Sequence, residues 1–248
     1  MFEGQLYRLP MLLIIFIVLI LSLLLIELYK YNYKLKDELF YDVSDVYPCL
    51  KKIHKLRGGI MDELNNIRNV DKIWNDWPER ELYNSNGKWK IFPFYAFGIW
   101  IEENCNKMPT LTKFIKNIPN LKIAILSKLS PGMKLIPHKG WGKHSNNVLR
   151  AHYGLIVPDN KCYVMVLDNK RKEKRYHKND EWLIFDDSKT HMAENTSNED
   201  RIVLILDIKR PDNVKKGVSK IGDTKELLEL VNYFKNKNIN LNLENESQ

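Results

Sequence analysis

Residues 181–208 read EWLIFDDSKTHMAENTSNEDRIVLILDI. Two apolar runs, 181–185 and 201–208, flank a polar turn that carries three aspartates and His191. Runs this short, rich in aliphatic and aromatic residues and bounded by Asp, Ser and Asn, predict strands. The same pattern recurs upstream in LKIAILSKL (121–129), VLRAHYGLIV (148–157) and CYVMVL (162–167). Several strands at this spacing predict an antiparallel sandwich or barrel and not a βαβ sheet.

The regions on either side differ. Residues 36–118 carry helix-like stretches, 37–56 and 110–118, broken by Pro48, Gly58, Gly59 and Pro78 and by the aromatic segment GKWKIFPFYAFGIW (87–100), so they read as support for a core. After Pro211, residues 213–248 hold DTKELLELVNYFKN and a polar tail; Asp223 as N-cap with Glu226 three residues on predicts a closing helix. The resulting organisation is an N-terminal segment at 1–35, a supporting region at 36–118, a β-rich core at 119–212 and a C-terminal helix with its tail.

Met11 to Ile26 contains Ser22 as its only polar residue, and with its flanks the run spans about residues 9–29. That approaches the ~20 residues needed to cross a bilayer. No small-residue cleavage site follows it, so an uncleaved single-pass membrane anchor is expected in place of a signal peptide. Lys30, Lys34 and Lys36 follow the run and only Arg8 precedes it, which favours a cytosolic side for the rest of the chain; the sequons at Asn195 and Asn245 would matter only in a secretory lumen. The side of the membrane stays open. The net charge of +8 arises partly from NKRKEKRYHKN at 169–179, read as a solvated surface. No basic stretch is interleaved with aromatics at a base-stacking spacing, so nucleic acid is not expected as a partner. Three scattered cysteines, Cys49, Cys105 and Cys162, make neither a disulfide framework nor a zinc cluster.

Five of the six histidines, 138, 144, 152, 177 and 191, lie in the β-rich half. Two stand where a barrel could bring them to one metal. His138, in LIPHKGWG (135–142), borders a strand, and His191 lies between two strand runs. A strand that binds ferrous iron usually offers a histidine and, two positions on, a carboxylate on the same face. Here that second position is Gly140.

SKLSPGMKLIPHKG, LRAHYGLIVPDNKCYV and EWLIFDDSKTHMAENTSNEDRIVLILDIKRP together resemble the aspartyl/asparaginyl β-hydroxylase family of iron and 2-oxoglutarate-dependent dioxygenases, over about Trp89 to Pro211. The resemblance implies a mainly β fold, a double-stranded β-helix (jelly roll) with supporting helices, here preceded by one transmembrane helix. It implies that His138 and His191 hold Fe(II) and that water fills the place left by Gly140, as in the peptide-hydroxylating members. It assigns the cosubstrate 2-oxoglutarate to Arg201, Ser127, Arg150, His152 and Trp89, with O2 as oxidant and ascorbate as a possible accessory reductant. Asp186 and Asp187 are candidates to support the two imidazoles. The expected reaction is hydroxylation at the β carbon of an aspartyl or asparaginyl side chain in a peptide or protein. A lipid acyl chain is the alternative, because a bacterial lipid A hydroxylase branch shares the single anchor and the wording around His191 but carries H-x-D at the first motif. Cys105 also lacks the second cysteine common in the peptide enzymes. A catalytically silent barrel that binds a ligand at the membrane is the third reading; the intact residue set argues against it.

Overall fold

The computed structural model describes residues 8–32, 35–83, 87–229, 231–233 and 235–236. The chain divides into two compact units, residues 1–37 with 212–215, and residues 38–211 with 216–248. In the first unit, α1 (Arg8–Asn32) contains an 18-residue window, Met11–Leu28, of mean hydropathy 3.2, all of it exposed. By length and composition this helix can cross a membrane. The same unit closes with a parallel bridge between Lys36 and Val214.

The second unit is built on β-structure. Its strands are β1 (Phe40–Tyr41), β2 (Asn75–Asp76), β3 (Trp89–Ala96), β4 (Ile99–Trp100), β5 (Leu121–Leu129), β6 (Val148–Ile156), β7 (Cys162–Leu167), β8 (Lys172–Tyr176), β9 (Trp182–Phe185), β10 (Thr190–Asn195) and β11 (Arg201–Lys209). The large sheet runs β1-β9-β6-β11-β5-β3-β2, with β4 paired to β3, and the small one runs β10-β7-β8. All pairings between these strands are antiparallel. Side chains of alternate residues share a face, and one buried cluster takes Trp89 and Ile91, Ile123, Ile125 and Leu129, Val203 and Ile205 from the large sheet with Cys162, Val164, Val166 and Ala193 from the small one. The two sheets therefore enclose one core between them as a jelly roll. Short helices α2 (Val43–Val46), α3 (Arg57–Ile67), α4 (Glu102–Lys107), α5 (Pro109–Lys116) and α6 (Gly142–Ser145) complete the unit.

Five expected strands are present as β5, β6, β7, β9 and β11. Three further strands depart from the sequence reading. The aromatic segment forms β3, whose pairing with β5 carries the boundary expected at 118/119 into a single sheet. The basic stretch at 169–179 forms β8, an edge strand on β7 whose side chains stay exposed or half-buried, with only His177 beyond it buried. Lysines and arginines on an edge discourage pairing with another chain, so charge hid a strand. The polar turn around His191 is β10, paired along its whole length with β7. The closing helix begins with residues 225–229, but its cap is Thr224, whose hydroxyl accepts from Leu227 N at 3.3 Å; Asp223 pairs with Lys143 instead. Lys34 and the Asn245 sequon lie outside the described residues.

Asn195, the asparagine of the other sequon, is fully buried at the end of β10. Its amide donates to the carbonyls of Leu129, Ser130 and Glu199 at 3.1, 3.1 and 2.7 Å, and its oxygen accepts from Ser197 and Cys162. The residue is a strut between β5 and the β10–β11 turn, closed to a glycosyl transfer. Asn195→Ala should cost about 2–4 kcal/mol, since three carbonyls lose a donor. Urea denaturation reads that loss as a lower midpoint.

Candidate active site

His138 and His191 are brought together by backbone pairing. His138 N donates to His191 O at 2.9 Å and His191 N donates to His138 O at 2.8 Å, so two distant segments form an antiparallel bridge at the barrel mouth. The ring centroids lie 4.3 Å apart. Each Nδ1 lies against a backbone carbonyl, Ile136 O at 2.7 Å for His138 and Lys189 O at 3.0 Å for His191. An N–H donated there leaves both Nε2 lone pairs available to a cation, and the carbonyls fix the tautomer. Of the two aspartates, Asp187 lies beside the rings, its Oδ1 3.3 Å from His191 Nε2, and Asp186 does not. Asp186 pairs with Arg210 and accepts from Ser188.

Burial of its ring and the neighbouring His191 lower His138 to about 3, and burial lowers His191 to about 4. Both rings are therefore neutral well below neutral pH. The donor set fits a divalent transition metal with two protein ligands and open positions. Among the described residues, no group of three metal-ligating side chains converges.

Gly140 explains itself by what stands beside it. A Cβ at this position would overlap the Asp187 carboxylate at Oδ2 and come within 2.8 Å of Ser145 Cβ. The space that a carboxylate on residue 140 would occupy is thus already filled by one from residue 187. That group is fully buried, with Oδ1 2.6 Å from Arg150 Nη1 and 3.3 Å from His191 Nε2. Arg150 reaches the other way as well, Nε and Nη2 each donating to the buried Asp207 at 2.8 Å. His144 Nε2 lies 2.8 Å from the same carboxylate. Burial alone would raise Asp207, but Arg150 outweighs it and holds the carboxyl low; burial raises Asp187.

The cosubstrate candidates separate into two groups. Arg150, expected to meet 2-oxoglutarate, is engaged by two carboxylates. Arg201, by contrast, is 2% exposed and, among the described residues, has no ion pair and leaves Nη1 buried without a hydrogen-bond partner. Burial lowers its guanidinium to about 10. A buried, unpaired cation costs several kcal/mol, so a cation kept there calls for an anion. His152 Nε2 is likewise buried and unpartnered. Ser127 Oγ accepts from Trp89 Nε1 at 3.1 Å, which leaves its own hydrogen to donate. Arg201, Ser127 and His152 sit on β11, β5 and β6, adjacent in the sheet. Arg201 and His152 thus offer the polar atoms that an anion such as a carboxylate could take up.

Sequence reasoning missed the tryptophan wall. Trp77 stacks on Trp89 at 4.4 Å and on Trp141 at 5.8 Å, with interplanar angles of 15° and 12°. The buried Glu79 accepts from Trp141 Nε1 and from Thr224. The three indoles and Arg150 border both a cleft of about 330 Å³ that holds His138, Gly140 and Asp187 and a small apolar chamber of about 40 Å³ lined by Ile91, Pro93, Phe97, Ile123, Ile125 and Ile205. Trp77 and Trp141 carried no signal because their neighbours on the wall come from separate segments.

The chain is thus a jelly roll with two histidines at its mouth and a buried arginine inside that is unpaired among the described residues. The family model described as aspartyl/asparaginyl beta-hydroxylase matches residues 57–211, and the chain belongs to that family. Its match begins upstream of the resemblance seen in the sequence and ends at the same residue. An ornithine lipid ester-linked acyl 2-hydroxylase of Rhizobium tropici is 34% identical over 72% of this chain and 63% of its own length. The human aspartyl/asparaginyl beta-hydroxylase is 27% identical over 54% of this chain and 18% of its own. The chain thus spans less than two thirds of either relative. A prolyl hydroxylase structure from Trichoplax adhaerens aligns at TM-score 0.46 and 11% identity, covering 64% of this chain and 80% of that one.

Two outcomes follow from this geometry. Gly140→Ala should weaken metal binding by displacing Asp187, with Asp187→Ala in the same chain relieving the overlap; calorimetric titration with manganese(II) reads both. The second concerns acid. His138, His152, His177 and His191 all have lowered values, so below the ordinary histidine value near 6.5 the unfolded chain binds more protons than the folded one. Stability of the metal-free protein should therefore fall from pH 7 to pH 5, seen as a lower urea midpoint at pH 5.

Proposed function

We propose that the protein is an Fe(II)- and 2-oxoglutarate-dependent hydroxylase acting on the acyl chain of a membrane lipid. The observation that carries the substrate class is the 34% identity to a lipid acyl hydroxylase, and the small apolar cavity of about 40 Å³ bordered by the tryptophans is compatible with it. An aspartyl or asparaginyl side chain would need polar partners there. The chamber offers Arg150, already bound to Asp187 and Asp207. An alkyl chain needs only apolar walls. A helix able to place the chain at a membrane supports the same reading.

His138 and His191 would hold the iron and Arg201 would pair with one carboxylate of the keto acid, a guanidinium fork matching a carboxylate in two hydrogen bonds. When bound, iron and keto acid supply the oxidising power for an unactivated C–H bond. The chain's own part is placement. The backbone bridge sets the two imidazoles, Arg150 holds Asp187 beside them, and the stacked indoles keep water from the reacting carbon. Hydroxylation of an aspartyl or asparaginyl β carbon is the second reading, favoured by Gly140 and by the human relative.

Incubation of the full chain with iron, ascorbate and 2-oxoglutarate should add one oxygen to an acyl chain in lipid extracts and none to Asp- or Asn-containing peptides, as read by mass spectrometry. Product in the peptides alone would reverse the assignment. Arg201→Lys keeps the charge and loses the fork, so the KM for 2-oxoglutarate should rise by tenfold or more, about 1.4 kcal/mol.

A further inference from the structure

A second histidine pair lies inside the barrel, away from the iron ligands. The rings of His152 and His177 are parallel within 8°, with His152 Nδ1 3.0 Å from His177 Nε2. Both residues are buried, at 5% and 3% exposure. Two ring nitrogens at this distance form a hydrogen bond only if one carries the hydrogen and the other a lone pair. Burial pushes both imidazoles well below their ordinary value and the Arg201 charge adds to this, so both rings are neutral with one N–H each.

That leaves two arrangements. In one, His177 Nε2–H donates to His152 Nδ1, and His152 carries its own hydrogen on Nε2. In the other, His152 donates from Nδ1, its Nε2 is a bare lone pair, and the hydrogen of His177 sits on Nδ1. His152 Nε2 and His177 Nδ1 are both buried without partners. Without an anion the two arrangements are equal, each leaving one N–H and one lone pair idle, and they differ only in what His152 presents toward Arg201. The second turns a lone pair toward any anion held at Arg201. The first turns the His152 Nε2–H toward that anion as a donor and leaves only the His177 Nδ1 lone pair idle once the anion is bound.

We infer that His177 is a positioning residue, which fixes His152 as the Nε2–H tautomer so that His152 and Arg201 donate to the same carboxylate. The inference rests on the reading that these two residues take the keto acid. A hydrogen bond to a charged group contributes about 1.5–3 kcal/mol, so losing it should weaken binding by roughly ten- to a hundredfold.

The test compares His177→Phe, which keeps a ring and loses the donor, with His177→Gln, which restores a donor near the Nε2 position. Titration of the full chain with 2-oxoglutarate in the presence of manganese(II) should show Phe weakened by at least tenfold and Gln within a few fold of the parent. A folded His177→Phe chain that binds 2-oxoglutarate as the parent does would overturn the inference. If His177→Phe does not fold, the ring-nitrogen chemical shifts of the parent decide: a protonated Nε2 on His152 supports the tautomer, and a protonated Nδ1 excludes it. Should the parent bind no 2-oxoglutarate, the cosubstrate reading fails, while the nitrogen shifts still decide the role of His177.

Discussion

The site depends on one short piece of backbone pairing. Two reciprocal hydrogen bonds between residues 138 and 191, at 2.9 and 2.8 Å, join a segment that follows β5 to β10 in the smaller sheet. Neither imidazole has to be aimed by a carboxylate, because the carbonyls of Ile136 and Lys189 hold the Nδ1 atoms. The geometry of the two ligands is thus a property of the main chain. Anything that slips β10 against β7 would move His191 with it.

Behind that bridge lies a chain of buried charge. Asp187, Arg150 and Asp207 form a line from beside His191 to β11, with His144 at its far end. Buried ion pairs add little to stability compared with apolar packing, but breaking one leaves a costly bare charge. Their effect here is positional. Arg150 holds a carboxylate in the space that Gly140 vacates, and it borders both the cleft at His138 and the small apolar chamber. Arg201 is the opposite case, a buried cation left without an anion. The two arginines, both candidates for the cosubstrate on sequence grounds, are told apart by their neighbours.

The apolar strands were legible because their alternation and turn residues are local properties. His138 and His191 were legible only as a pair, since a jelly roll makes neighbours of segments 53 positions apart. Where a strand carried charge, as in β8, or polar residues between two apolar runs, as in β10, the hydrophobic pattern was silent and pairing with β7 decided. The use of Gly140 was illegible for a related reason. A glycine in the motif reports a missing side chain, whereas the group that fills the gap comes from Asp187. The tryptophan wall draws Trp77, Trp89 and Trp141 from three separate segments, so no window of sequence contains it.

The proposed activity requires both a metal held by the two histidines and an anion held at Arg201. Anaerobic calorimetric titration of iron(II) into the full chain, with and without 2-oxoglutarate, addresses both at once. One iron per chain is expected, bound more tightly when 2-oxoglutarate is present, with His191→Ala abolishing the binding. Iron binding that survives in His191→Ala, or that is indifferent to 2-oxoglutarate, would contradict it.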